Sequence, residues 1–138
     1  MYMGCLLFWI SKLQTEIALS TTEAEYIALS HSMRETLPLI EFLDEVHLAI
    51  GIKPFSDDRI TKCTVFEDNN GCIELAKCPR LRPKTKHISI KYYHFRSKVA
   101  DSTVKVLPID TKDQIADIFT KALPKEQFRF LRKLLLGW

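Results

Sequence analysis

From Thr22 onward the apolar residues fall at Tyr26, Leu29, Met33, Leu37 and Ile40, in steps of three and four, which predicts an amphipathic helix. Thr22 with Glu25 three positions later fits a capping box at its start. Pro38 lies inside the pattern and predicts a kink or break. Gly51, Pro54 and the pair Asp57-Asp58 mark a loop. Thr64-Val65-Phe66 is β-branched and aromatic, and predicts a buried strand that runs into a turn at residues 67–71. A short helix over residues 70–77 should follow, stopped by Pro79. Arg82-Pro83 reads as loop and residues 87–100 as a helix.

Val104-Lys105-Val106-Leu107 alternates like a strand that ends at Pro108. Thr111 with Gln114 forms a second capping box, opening a helix that carries Ile115, Ile118, Phe119 and Ala122. Pro124 ends it, and Phe128, Leu131, Leu134 and Leu135 outline a closing amphipathic helix. At the start, the apolar run of residues 5–10 is far short of the ~20 residues of a membrane span and reads as a buried strand. Residues 16–19 read as short strand material before the helix. Alternating strands and helices predict an α/β or α+β domain with one mixed sheet.

Composition adds little to this and contradicts none of it. The 138 residues suit a single domain, and 46% hydrophobic with 27% charged is ordinary for a globular chain. Cys5, Cys63, Cys72 and Cys78 contain no CxxC pair, and no signal-peptide pattern precedes them. Reduced, part-buried thiols are therefore expected rather than a disulfide framework or a zinc site. An intracellular setting, cytoplasm or nucleus, is expected over secretion, with no membrane partner.

Charge distribution changes the picture more. Residues 1–50 carry two bases against seven acids, whereas residues 77–98 carry eight bases and no acid. The eight are Lys77, Arg80, Arg82, Lys84, Lys86, Lys91, Arg96 and Lys98, interleaved with His87, Tyr92, Tyr93, His94 and Phe95. Such a strip suits a polyanion: phosphates bind by counterion release, and tyrosines can lie against sugars or bases. The plainer account is a solvated helix face and a lysine-rich loop. His87 and His94 have no acid or thiol at ligand spacing and are expected to face the core or a phosphate.

Three acids stand where chemistry could use them: Glu25 in the first turn of a helix, Asp68 at a strand end and Asp117 in a late helix. Open α/β sheets place ligands beyond the carboxyl ends of strands, where Asp68 falls. Hard divalent cations need oxygen ligands, and metal-dependent nucleases gather carboxylates from distant positions. Each acid also has a structural account. Glu25 can complete the capping box of Thr22, Asp68 can cap the next helix, and Asp117 can sit favourably at its own helix start.

The combination is more specific. Ala18-Leu19-Ser20-Thr21-Thr22-Glu23-Ala24-Glu25-Tyr26-Ile27-Ala28 and Asp68-Asn69-Asn70 resemble the ribonuclease H region of copia-type retrotransposon Pol polyproteins. So do Thr85-Lys86-His87-Ile88, Tyr93-His94-Phe95-Arg96 and Ala116-Asp117-Ile118-Phe119-Thr120-Lys121, with Trp9-Ile10-Ser11-Lys12-Leu13-Gln14-Thr15 ahead of them. The resemblance spans residues 4–136. It implies a ribonuclease H-like fold, a mixed sheet flanked by helices, with residues 1–138 forming a single domain incomplete at its N-terminus and lacking the first two strands.

It also implies an activity. In that family four carboxylates hold two magnesium ions, and water attacks the RNA strand of an RNA–DNA hybrid. Glu25, Asp68 and Asp117 match three of the four metal and catalytic positions. Glu25 is preferred to Glu23 because the family's ligand directly precedes an aromatic or aliphatic residue, here Tyr26. Arg80, Arg82, Lys84, Lys86, His87, Lys91 and Arg96 would bind nucleic acid along its backbone. Reverse transcriptase and integrase of the same polyprotein are the family's partners.

One feature departs from that pattern. The fourth family carboxylate is an aspartate on the first strand, and it has no counterpart here; the first acid in the chain is Glu16. That aspartate touches both ions, so its loss should weaken magnesium binding and cost several powers of ten in metal affinity and turnover, each power about 1.4 kcal/mol. The chain is therefore expected to be inactive alone, and whether it acts as an enzyme stays open. Residues 5–10 should either slide into the vacant strand position or leave an open sheet edge. Two alternatives remain: a non-catalytic nucleic-acid-binding module using the basic 77–98 segment, and an active enzyme whose true N-terminus is missing from this sequence.

Overall fold

The computed structural model describes residues 1–2, 4–53, 60–78 and 90–138. Pro54, Asp57, Asp58, Arg82 and Pro83, assigned above to loops, and Pro79, the expected helix stop, lie outside these residues. The described contacts form two compact units: residues 16–108, and residues 1–15 with 109–138.

The larger unit is built on α1 (Thr21–Ala49), β1 (Cys63–Glu67), α2 (Asn70–Lys77), a 3-10 turn (Ile90–Tyr93), α3 (Arg96–Ala100) and β2 (Val104–Pro108). β1 and β2 pair in parallel, with Val65 opposite Val106 and Phe66 opposite Leu107. Parallel strands need a crossover, and α2 and α3 supply it, both packing on β2. The core is a single cluster. Tyr26, Ile27, Leu29, Met33 and Ile40 of α1 meet Cys72, Ile73, Leu75 and Ala76 of α2, with Tyr92, Phe95, Val104 and Val106.

Several expectations hold. The predicted helix periodicity of α1 maps onto its buried face, and α2 spans the predicted residues. β1 and β2 form where β-branched residues predicted them.

Others are corrected. α1 starts with Ser20, not Thr22, as its cap: Ser20 Oγ accepts from Glu23 N at 3.1 Å, and Glu23 Oε2 accepts from Leu19 N at 2.8 Å. α1 also runs through Pro38 without a break, the ring removing one hydrogen bond from a long helix that is anchored on both sides of it. β1 is buried on one face only, since Phe66 remains 51% exposed on the other. Within the predicted 87–100 helix, the described part is a 3-10 turn and then the short α3, separated at His94-Phe95. Phe95 is fully buried there, so core packing dictates the local path over helix continuity.

The smaller unit contains two short 3-10 turns (Thr111–Asp113 and Ile115–Phe119) and α4 (Lys125–Leu136). The turns replace the α-helix expected from Thr111 onward. Asp110 caps instead, accepting from Lys112 N, and Asp113 N bonds back to Asp110 O at 2.8 Å, a tighter i to i+3 geometry. Residues 5–10 do not form the predicted strand. A lone antiparallel bridge joins Tyr2 to Cys5, and Leu7, Phe8, Trp9 and Ile10 are exposed. A strand requires a hydrogen-bonding neighbour, and no described element provides one to that run. Nor do residues 16–19 form strand. Within this unit Trp9 stacks on Phe119 at 6.3 Å, and Ser11 Oγ donates to Phe119 O at 3.1 Å. α4 buries only Leu131 of its predicted stripe; Phe128 and Leu134 are largely exposed.

Candidate functional site

In the larger unit, the first turns of α1 and the turn after β1 carry the candidate acids. Ser20 and Glu23 close the start of α1 in place of the expected Thr22 and Glu25, and Glu25 lies half-buried in the helix. Asp68 is likewise not a cap. Asn69 is the N-cap of α2, its Oδ1 accepting from Cys72 N at 3.1 Å. The same Oδ1 accepts from Thr22 Oγ1 at 3.3 Å, tying the start of α1 to the turn that bears Asp68.

Glu67, the last residue of β1, is buried, 7% exposed, as is Glu23 in the first turn of α1. Its Oε1 accepts from Asn69 N at 3.1 Å. Burial pushes the Glu67 carboxyl above the usual carboxylate range; the Asn69 N–H opposes this, while the charges of Glu25 and Asp68 add to it and a hydrogen bond from Cys72 opposes it. The Cys72 thiol is pushed well up, by burial first and then by the charge and hydrogen bond of Glu67, with Glu25 and Asp68 adding. Glu25 and Asp68, forty-three positions apart in sequence, therefore act on the same buried pair of groups.

Asp117 lies in the smaller unit, in the second 3-10 turn, where it is buried. Its Oδ1 holds the Lys121 ammonium at 2.8 Å. A buried carboxylate needs such a cation or an equivalent partner. The donor chemistry of Glu25, Asp68 and Asp117 is oxygen alone, which suits a hard divalent cation, and Asp117 already binds a positive group. Among the described residues no three His, Cys, Asp or Glu side chains stand together in a coordinating arrangement. None of Cys5, Cys63, Cys72 and Cys78 forms a disulfide.

Of the predicted nucleic-acid contacts, Arg80, Arg82, Lys84, Lys86 and His87 fall outside the described residues. Lys91 lies in the 3-10 turn Ile90–Tyr93. Arg96 is engaged internally: Nε and Nη2 donate to Leu75 O at 3.0 and 2.6 Å, and the guanidinium lies 4.1 Å over the Tyr93 ring. It pins α3 to the end of α2. His94 Nδ1 lies 3.4 Å from Ser30 Oγ and its ring meets Phe95 edge-on.

Sequence reasoning missed Glu67, Cys72, the Thr22 to Asn69 contact and Lys121. The adjacency of Glu67 and Asp68 at a strand end was the available signal for the first. Lys121, four residues after Asp117, was the signal for the last. Among the described residues no helix is long and apolar enough to cross a membrane.

No family model matches the chain, and no solved structure matches it. Curated relatives do. The chain is 36% identical over 134 residues, 97% of its length, to the Retrovirus-related Pol polyprotein from transposon TNT 1-94 of Nicotiana tabacum. It is 30% identical over 91% of its length to the Retrovirus-related Pol polyprotein from transposon RE2 of Arabidopsis thaliana. The Transposon Ty1-DR1 Gag-Pol polyprotein of Saccharomyces cerevisiae is 29% identical over 81%. The chain spans only 9%, 8% and 6% of these relatives' own lengths. Matched over nearly all of its own residues to one short stretch of such proteins, this chain is a homologue of copia-type retrotransposon Pol polyproteins.

Proposed function

We propose that this chain is part of the ribonuclease H region of a retrotransposon polyprotein, with Glu25, Asp68 and Asp117 as magnesium ligands and the RNA strand of an RNA–DNA hybrid as substrate. The observation that supports the reading is the Thr22 to Asn69 hydrogen bond, which ties the start of α1, three residues before Glu25, to the turn that bears Asp68, with the charges of both acids helping to raise the buried Glu67 and Cys72. Carboxylates presented on neighbouring elements repel, and a divalent cation would relieve that repulsion.

Bound there, magnesium would supply Lewis acidity toward the phosphodiester and an activated water. The chain's own residues do the holding and orienting. Asp68 is presented by the turn that Asn69 and Glu67 fix through the cap and the Asn69 N–H. Glu25 is presented by a helix whose start is closed without its help. Asp117 has its charge compensated by Lys121, whose ammonium a bound cation would have to replace or share. The bases of residues 77–98 would lie along the hybrid backbone, neutralising phosphates and reading shape rather than sequence.

Residues 1–138 carry three of the four acids of the family pattern, so this polypeptide on its own is expected to leave a hybrid uncut. The test is a chimera in which the stretch preceding the matched region of the tobacco relative is joined to residue 1. In magnesium, the chimera should cleave the RNA strand of a labelled hybrid and Asp68→Asn should abolish cleavage. A folded chimera that leaves the hybrid intact, or cleavage that survives Asp68→Asn, defeats the reading.

The eight bases without an acid support a second reading, a module that binds nucleic acid without cutting it. It requires that replacing Lys84, Lys86 and Lys91 together removes the gel shift and flattens its salt dependence by about three counterions' worth of slope.

A further inference from the structure

The start of α1 and the turn after β1 meet at a junction of three small residues. Thr22 Oγ1 donates to Asn69 Oδ1 at 3.3 Å, and Cys72 N donates to the same oxygen at 3.1 Å. The backbone N–H of Cys72 settles which Asn69 side-chain atom is the oxygen, so Thr22 must be the donor. Both lone pairs are then used: one closes the start of α2, the other reaches across to α1. Gly71 provides the room. A Cβ at that position would lie 2.9 Å from Thr22 Oγ1, 3.0 Å from its Cγ2 and 3.2 Å from Asn69 Oδ1. Any side chain there would push Thr22 away. Glu67 holds the same turn through the Asn69 N–H.

The placement of this junction gives it consequence. Thr22 stands three residues, close to one helical turn, before Glu25, and Asn69 directly follows Asp68. We propose that the Thr22 to Asn69 hydrogen bond, given room by Gly71, sets the separation of the Glu25 and Asp68 carboxylates. Thr22, Asn69 and Gly71 are thus positioning residues for the pair. This deepens the proposed function and rests on the reading of those two acids as ligands of a common cation.

The experiment uses the 138-residue chain, manganese ion alone as the probe, and paramagnetic broadening of the amide signals of residues 25 and 68. Thr22→Val keeps the shape and removes the donor; Thr22→Ser keeps the donor. The valine variant should lose about fivefold in manganese affinity, the scale of one hydrogen bond, while the serine variant stays within about twofold of the parent. A nuclear Overhauser contact between the Thr22 methyl and the Gly71 α protons reports the junction directly and should be present in the parent. Gly71→Ala, which opens the junction while leaving the hydroxyl in place, should weaken manganese as Thr22→Val does, and serves if the valine variant fails to fold.

Unchanged affinity in Thr22→Val or in Gly71→Ala overturns the proposal, as does equal loss in the valine and serine variants. An absent Thr22 to Gly71 contact overturns it whatever the metal does. A parent chain that shows this contact but no broadening at residues 25 and 68 defeats the metal reading, and reduces the junction to a helix cap.

Discussion

The two units of this chain are held by very different amounts of buried material. In residues 16–108 one cluster gathers apolar side chains from the long α1, the short α2, the aromatic turn and β2. In residues 1–15 with 109–138, Leu131 is the buried apolar residue among those described, and Trp9, Leu13, Phe130 and Trp138 remain exposed. Apolar content is not what separates them, because the smaller unit is rich in leucine, phenylalanine and tryptophan. What differs is geometry: a helix face stabilises only when another surface removes it from water. The acids repeat the contrast. Glu67 is buried beside other acids and answers by moving its pKa up, whereas Asp117, as deeply buried, has an ammonium against it.

The sharpest way to break this comparison is through Phe95, fully buried in the larger core. Phe95→Ala should cost about 3–5 kcal/mol of unfolding free energy in urea, with exchange protection lost across the larger unit. Leu131→Ala comes next, at about 2–3 kcal/mol, in the lower part of the leucine scale. Hydrogen exchange should locate that loss in α4 and the 3-10 turns. If protection instead fell in α1 and β2, the division into separately held cores would be wrong.

Lys121→Met removes the cation from buried Asp117. With the lysine side chain 49% exposed, solvent screening limits the effect to about 1 kcal/mol, read as a shift of the urea midpoint at unchanged slope. The smallest effect concerns Asp110, whose carboxyl is held below the usual range by the Lys112 backbone N–H and then by the Lys112 side chain. A lowered native value means stability that is present above the unfolded value of about 3.9 and lost as pH falls through the native one. Asp110→Asn should therefore flatten the acid limb of the stability curve slightly and leave it unchanged above pH 6; an effect that grows toward neutral pH would contradict the assignment.

What could be read in advance follows physical lines. β1, β2 and α2 were legible because β-branched runs, and an asparagine with a helix period after it, each favour one local state. The start of α1 was ambiguous locally: Ser20 with Glu23 and Thr22 with Glu25 are overlapping capping boxes, and a tertiary contact from Thr22 to Asn69 accompanies the upstream one. The turns at 111–119 were misread because Ile115, Ile118 and Phe119 have a spacing that both α and 3-10 geometry accommodate. Among the candidate acids, the positions of Glu25 and Asp68 were legible from motif order. The part played by Glu67 was not, because a strand-end glutamate reads as solvent-facing until helices cover it. The run at residues 5–10 shows the limit of composition: uniform hydrophobicity carries no period and so names no partner.

The way α1 begins also decides how its chemistry can be interrogated. Since Ser20 Oγ accepts from Glu23 N at the start of that helix, and the Glu23 carboxylate accepts from Leu19 N just ahead of it, exchanging Glu25 for glutamine leaves both of these bonds in place. A change in behaviour of such a variant can then be ascribed to the lost negative charge rather than to fraying, an uncommon freedom for an acid so near a terminus.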